Sequence, residues 1–126
     1  NIWANNLIFN IMKNAIYHNP NWSKSRKSIE ILDNQGIDYN IIYYLKQPLT
    51  SSELKSVFNK LKIHPSEALR KNEKDYKLNN INLFIGDSNA LIEKMIKYPK
   101  IIERPIIIIG DNAVIGRPPE NIYKII

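Results

Sequence analysis

Cysteine is absent from this chain. With it go disulfides, thiolate metal sites and any cysteine nucleophile. The absence fits a reducing compartment, so the expected location is the cytoplasm. Long apolar runs are also missing. None approaches the roughly 20 residues that span a bilayer, and Ile106-Ile107-Ile108-Ile109 has only the length of a strand. No membrane partner is expected. Blocks of one charge sign are lacking too. Acids interleave the bases in Lys71-Asn72-Glu73-Lys74-Asp75-Tyr76-Lys77, and no Arg-rich arm occurs. The net charge of +6 therefore reads as surface lysine rather than a nucleic-acid footprint. Two separated histidines without cysteine give no metal signal. Arginine is scarce, with four in the chain: Arg26, Arg70, Arg104 and Arg117.

What is present suits one domain. A chain of 126 residues, 44% of them hydrophobic, can enclose a real core. The first eleven residues, NIWANNLIFNI, carry no charge and lack the basic n-region and cleavage site of a signal peptide. Met12-Lys13 then has the look of an ordinary start. Residues 1–11 are expected to be translated upstream sequence or a cloning remnant, with a short packed helix as the alternative. Residues 12–126 are expected to form a single domain.

Along that domain the pattern alternates. Asn14-Ala15-Ile16-Tyr17 reads as a short strand. Ser23 or Ser25 is suited to cap a helix that runs to Gln35 and stops at Gly36. Asp38 to Leu45, DYNIIYYL, reads as a buried strand. Thr50-Ser51-Ser52-Glu53 opens a helix with Leu54, Val57, Phe58 and Leu61 at helical spacing. His64-Pro65-Ser66 restarts a helix through Arg70. Residues 72–87 read as irregular, with a short turn at Leu83-Phe84, and Ser88 to Tyr98 as a helix. After Arg104-Pro105 comes the isoleucine strand, a hairpin turn at Gly110-Asp111-Asn112, the returning strand Ala113-Val114-Ile115 and a last helix from Pro118-Pro119-Glu120. The sum is an α/β domain with a small mixed sheet.

The stretch HNPNWSKSR, residues 18–26, joins the first strand to the first helix. Hydroxyls and cations crowd where backbone N–H groups at a helix start attract anions. Its apex is nonetheless Trp22, the bulkiest side chain available. Together with ALRKNE, IIERPIIII and IGRPPE, in that order, this stretch resembles the ArsC family of glutaredoxin-linked arsenate reductases. The resemblance covers residues 13–126. It implies a thioredoxin-like fold, a small mixed β-sheet flanked by helices, with an all-helical insertion. The related Spx regulators share the fold but usually carry a two-cysteine motif and lack the terminal GRPPE.

The resemblance also implies a site. In the family a thiolate in the first loop attacks arsenate, three arginines surround the oxyanion, and glutathione or glutaredoxin resolves the adduct. The matching arginines are Arg70, Arg104 and Arg117, with Arg26 just inside the first helix. Guanidinium suits the task because its planar fork binds oxyanions bidentately and stays charged. Each arginine alone would read as a surface charge; four at matched positions read as a site. Ser23 and Ser25 add hydroxyls, with helix capping as their plainer role. His18 sits beside the family's thiolate and is suited to lower its pKa; otherwise it is a hydrogen-bonded loop histidine. Pro105 matches the cis-proline ahead of the central strand.

Trp22 occupies the nucleophile position. Indole has no ionisable nucleophile, and serine cannot form the thiol–arsenic and mixed-disulfide intermediates. Three accounts of Trp22 stand: a codon-level change, since cysteine and tryptophan codons differ at one base; a pseudoenzyme that keeps an anion or partner site; or a hydrophobic contact on a reused scaffold. The expected function is that of an arsenate reductase family member, inactive as written, with no bound cofactor and with glutathione or glutaredoxin as reductant if active. The expected ligand is an oxyanion such as arsenate, phosphate or sulfate, with glutaredoxin as a candidate partner. The alternative is an Spx-like regulatory or partner-binding module.

Overall fold

A computed structural model describes residues 13–126. The expected upstream extension of residues 1–11 lies outside them. The chain divides into two compact units, one reaching Tyr43 and resuming at Arg104–Ile126, the other Tyr44–Glu103.

The first unit is built on four strands: β1 (Asn14–Tyr17), β2 (Asn40–Ile42), β3 (Ile106–Ile109) and β4 (Asn112–Ile115). Their order is β2-β1-β3-β4. β1 pairs with β2 in parallel, and β3 is antiparallel to both β1 and β4, so the sheet is mixed, as the alternation implied. Ile106, Ile107 and Ile108 are all buried. Successive side chains point to opposite faces, so both faces of β3 are covered there. Helix α1 (Ser23–Asn34) and the terminal 3₁₀ helix (Pro119–Lys124) pack together. Their Ile31, Leu32 and Ile122 form one cluster with Ile16 and Ile107 from the sheet.

Helix α1 ends in a Schellman motif. Gly36 takes φ +67, Ile37 N donates to Leu32 O at 3.1 Å, and Gly36 N donates to Asp33 O at 3.0 Å. Its start departs from expectation. The cap residue is Trp22, in extended backbone, and makes no side-chain cap bond. Neither Ser23 nor Ser25 caps the helix. Ser25 and Ser28 are instead buried on its inner face, two turns and one turn ahead of Ile31 and Leu32. Small residues there permit a close approach by the chain after β4: a Cβ on Gly116 would stand 2.6 Å from Ile107 Cδ1, 2.9 Å from Ser28 Oγ and 3.0 Å from Pro105 Cγ. Overpacking of this kind costs about 1–3 kcal/mol. Gly116→Ala should lower the unfolding midpoint accordingly in a thermal melt. An unchanged midpoint would show that the neighbours yield freely.

DYNIIYYL forms a strand only over Asn40–Ile42, half-exposed rather than buried. The last expected helix is the 3₁₀ helix Pro119–Lys124.

The second unit is helical. Helix α2 (Ser51–Leu61) carries a complete capping box: Glu53 N donates to Thr50 Oγ1 at 3.1 Å, and Thr50 N to Glu53 Oε2 at 3.5 Å. Ser51 hydrogen-bonds Glu93 on α4 (Ser88–Lys97). His64 starts a 3₁₀ turn, Pro65–Ala68, rather than a helix through Arg70; its Nδ1 accepts from Ser66 N at 3.1 Å. The stretch read as irregular holds helix α3 (Lys74–Leu78) and a 3₁₀ turn at Ile81–Phe84. An isolated bridge joins Leu69 to Ile102. No helix among the described residues is long and apolar enough to cross a membrane.

Candidate functional site

The sheet register gathers the first unit's site. Tyr17, the last residue of β1, pairs with Ile106, the first of β3, and Ile106 pairs with Ile115, the last of β4. The chain therefore leaves β1, begins β3 and leaves β4 at one end of the sheet. Gly116 N donates to Pro105 O at 2.8 Å and holds the two hairpin legs together beyond the strands. Arg104 and Arg117 thus emerge side by side, although 13 positions separate them in sequence. Each precedes a proline, and both Arg-Pro peptide bonds are cis, Arg104–Pro105 as the resemblance implied.

The loop after β1 is tied to itself through Asn19. Its Oδ1 accepts from Asn21 N at 3.1 Å, its carbonyl accepts from Trp22 N at 3.1 Å, and its N–H donates to Ser25 Oγ at 3.4 Å. Ser25 is thus turned inward as a loop tie, whereas Ser23 is exposed. Arg26 reaches back to donate from NH1 to Pro20 O at 3.1 Å. These bonds fix the half-buried Trp22 at the start of α1, whose first turn holds no acid.

Cations surround the indole. Arg104 Cζ lies 4.4 Å and Arg117 Cζ 5.3 Å from the ring centroid, both inside the roughly 6 Å range of cation–π contact. Lys24 Nζ stands at 5.9 Å. Two guanidiniums on one ring repel, and the ring's negative face offsets part of that cost. Arg104 is half-buried, and its Nε is sealed from solvent with no acceptor among the described residues.

His18 is only 5% exposed. Its N–H donates to Ile42 O at 2.9 Å, its ring tilts against Tyr43 at 5.9 Å, and its Nδ1 is buried without a partner among the described residues. Burial, and then the charge of Arg26, lowers its pKa from 6.5. The imidazole is therefore neutral at pH 7. The sign of the pH effect follows. The unfolded chain takes up a proton near 6.5, whereas the folded chain resists, so stability is full above 6.5 and falls as pH drops through the lower folded value. The NMR titration of the His18 ring should show a midpoint below 6.5; one at or above 6.5 would refute this reading of its surroundings.

Arg70 belongs to the second unit. Its NH1 donates to Glu73 Oε2 at 3.0 Å and to Lys100 O at 3.2 Å, and its backbone N–H donates to Ile101 O at 2.8 Å. Of the expected site residues, the first unit brings together His18, Trp22, Ser23, Ser25, Arg26, Arg104, Pro105 and Arg117. Sequence reasoning missed Tyr43, whose contact with His18 follows from its place just past the β2 pairing, and Gly116. Only a motif, IGRPPE, marked that glycine.

The ArsC family description matches residues 17–125. An arsenate reductase of Neisseria meningitidis is 38% identical over 115 residues, 88% of this chain and 96% of that protein. One from Haemophilus influenzae is 38% identical over 116 residues, 91% of this chain and 100% of that protein. The solved structure of the arsenate reductase from Vibrio cholerae superposes with a TM-score of 0.81 at 39% identity, covering 93% of this chain and 100% of that one.

Proposed function

The chain belongs to the ArsC family, and on that premise we propose that it is an arsenate reductase-like protein that holds a tetrahedral oxyanion without reducing it. The observation that carries the reading is Trp22 at the start of α1 with Arg104 and Arg117 stacked on its ring. The arginines supply what an oxyanion needs, fixed charge and forked donors. The indole cannot supply what reduction needs. Converting arsenate to arsenite takes two electrons, which the family draws through a thiolate adduct that glutathione or glutaredoxin resolves. An indole N–H is a donor only and forms no such adduct.

Binding should be weak. An affinity on the order of millimolar corresponds to about −4 kcal/mol. Saturable sulfate or arsenate binding by calorimetry, weakened in Arg104→Ala, is expected. In a steady-state assay with arsenate, glutathione and glutaredoxin, no arsenate-dependent glutathione oxidation should rise above background. Turnover that disappears in Ser23→Ala or Ser25→Ala would overturn the inactivity. Absence of any saturable anion binding would instead favour a partner-binding module of the Spx type.

A further inference from the structure

We infer that the Trp22 indole is a built-in plug, a side chain that competes with the oxyanion for Arg104 and must leave before an anion can engage Arg104 beside the exposed Arg117. The inference rests on the oxyanion-binding reading above and adds to it the direction of Trp22's effect.

Two placements of the ring are distinguishable in principle. As a platform, it would hold the guanidiniums in place while leaving their N–H edges open to a ligand. As a plug, it would cover donors that the ligand needs. Arg104 decides between them. Its Nε is an N–H donor with no solvent access and no acceptor among the described residues. The ring centroid lies 4.4 Å from Cζ, the atom to which that nitrogen is bonded. A buried donor without an acceptor is a standing cost, which an arriving anion would relieve. An anion cannot reach a sealed atom, so relief requires the cover to move. The same ring also lies against Arg117 at 5.3 Å. The two Cζ atoms are therefore less than about 10 Å apart, so that displacing the ring would open Arg104 beside the already exposed Arg117.

The side chain is suited to such movement. Trp22 precedes the first helical residue, its backbone is extended, and its ring is half-buried rather than locked in the core. Its backbone is held by Asn19 O and by Arg26 N, which fixes the pivot about which a displaced ring would turn. Cation–π contacts of this exposure are weak beside charge-assisted hydrogen bonds to an anion. Exchange of ring for anion is thus favourable at sufficient anion concentration, at reduced affinity.

The test uses the full chain carrying Trp3→Phe, so that Trp22 is the only indole, with inorganic sulfate and arsenate as probes at constant ionic strength. In this background Trp22 emission should change saturably with sulfate, and calorimetry should give the same midpoint. Trp22→Ala and Trp22→Ser, each checked for cooperative melting, should bind sulfate about tenfold more tightly, equivalent to about 1.4 kcal/mol. Arg104→Ala combined with Trp22→Ala should lose that gain. If both Trp22 variants bind with unchanged or lower affinity while the parent binds, the ring is a platform or bystander and the plug is refuted, with the oxyanion reading intact. If neither the parent nor the variants bind, both readings fail.

Discussion

Trp22→Cys is expected to place a thiolate, not a thiol, at the start of α1 at neutral pH. An unperturbed cysteine titrates near 8.5 and is about 3% ionised at pH 7, whereas a value near 6.5 gives about three quarters, a gain of roughly 25-fold. Two sources favour the anion here. The N–H groups opening α1 contribute about 0.5–1 kcal/mol. The two guanidiniums that flank the ring would lie within about 8 Å of the sulfur, where each contributes about 2 kcal/mol at an effective dielectric of 20, and the exposed Arg117 contributes less because solvent screens it. His18 is not a third source, because burial and Arg26 keep it neutral at this pH. One pKa unit is about 1.4 kcal/mol, so a fall of about two units is within reach. Iodoacetamide alkylation followed against pH reads the midpoint directly. The same variant should acquire arsenate-dependent glutathione oxidation with glutaredoxin. A midpoint at or above 8.5, or one unmoved by adding Arg104→Ala, would contradict the electrostatics drawn from these contacts.

The arginines are placed by register rather than by the loop they serve. Ile106 pairs with both Tyr17 and Ile115. A residue just before Ile106 therefore appears beside the segment that follows Tyr17, and one just after Ile115 lies one strand further along the same end of the sheet. Hairpin geometry brings Arg104 and Arg117 to the end of the sheet from which the Trp22 loop leaves, and the Gly116 N to Pro105 O bond ties the two backbone segments together.

That geometry explains which parts were legible in the sequence. The isoleucine strand is bounded by Pro105 and Gly110, and Asn14–Tyr17 by the His18-Asn19-Pro20 turn, so both were readable as β-branched runs between breakers. Thr50 and Glu53 announced α2 through reciprocal capping. DYNIIYYL misled because strand propensity carries no information about the partner's length. β2 pairs only with β1, whose last paired residue is Tyr17 opposite Ile42. His18 N to Ile42 O is the final bond before the chain turns away, so Tyr43 has no ladder to join. Ser23 and Ser25 misled because a hydroxyl near a helix start suits two roles. Ser25 Oγ faces inward to Asn19 N, and the capping position falls to Trp22. The 3₁₀ turns Pro65–Ala68 and Ile81–Phe84, four residues each, carry too few positions to show a helical period. The arginine positions were legible through their motifs. Their stacking on one indole was not, because it depends on the sheet register that brings the ends of β1, β3 and β4 together, which no spacing in the sequence shows.

Ile107→Ala is expected to be the most destabilising single truncation in the first unit, at about 2–5 kcal/mol. Ile107 is fully buried at the centre of β3, opposite Ile16 on β1 and Val114 on β4, and shares a core cluster with Ile31, Leu32 and Ile122. Truncation leaves a void lined from the sheet, α1 and the terminal 3₁₀ helix, which cannot all close on it at once. The effect should extend to the site. Ile107 Cδ1 fills the space beside Gly116 and Pro105, the residues next to Arg117 and Arg104. Loosening there should weaken the stack on Trp22 and alter its emission in the Trp3→Phe background. The same contact makes a coupling test available. Gly116→Ala is costly partly because its Cβ would meet Ile107 Cδ1 at 2.6 Å, and Ile107→Ala removes that atom. In urea unfolding the double variant should therefore be less destabilised than the two single losses combined, by about 0.5–3 kcal/mol. Strict additivity would mean that Ser28 and Pro105 alone set the cost at Gly116, and that Ile107 does not link the core to the arginines.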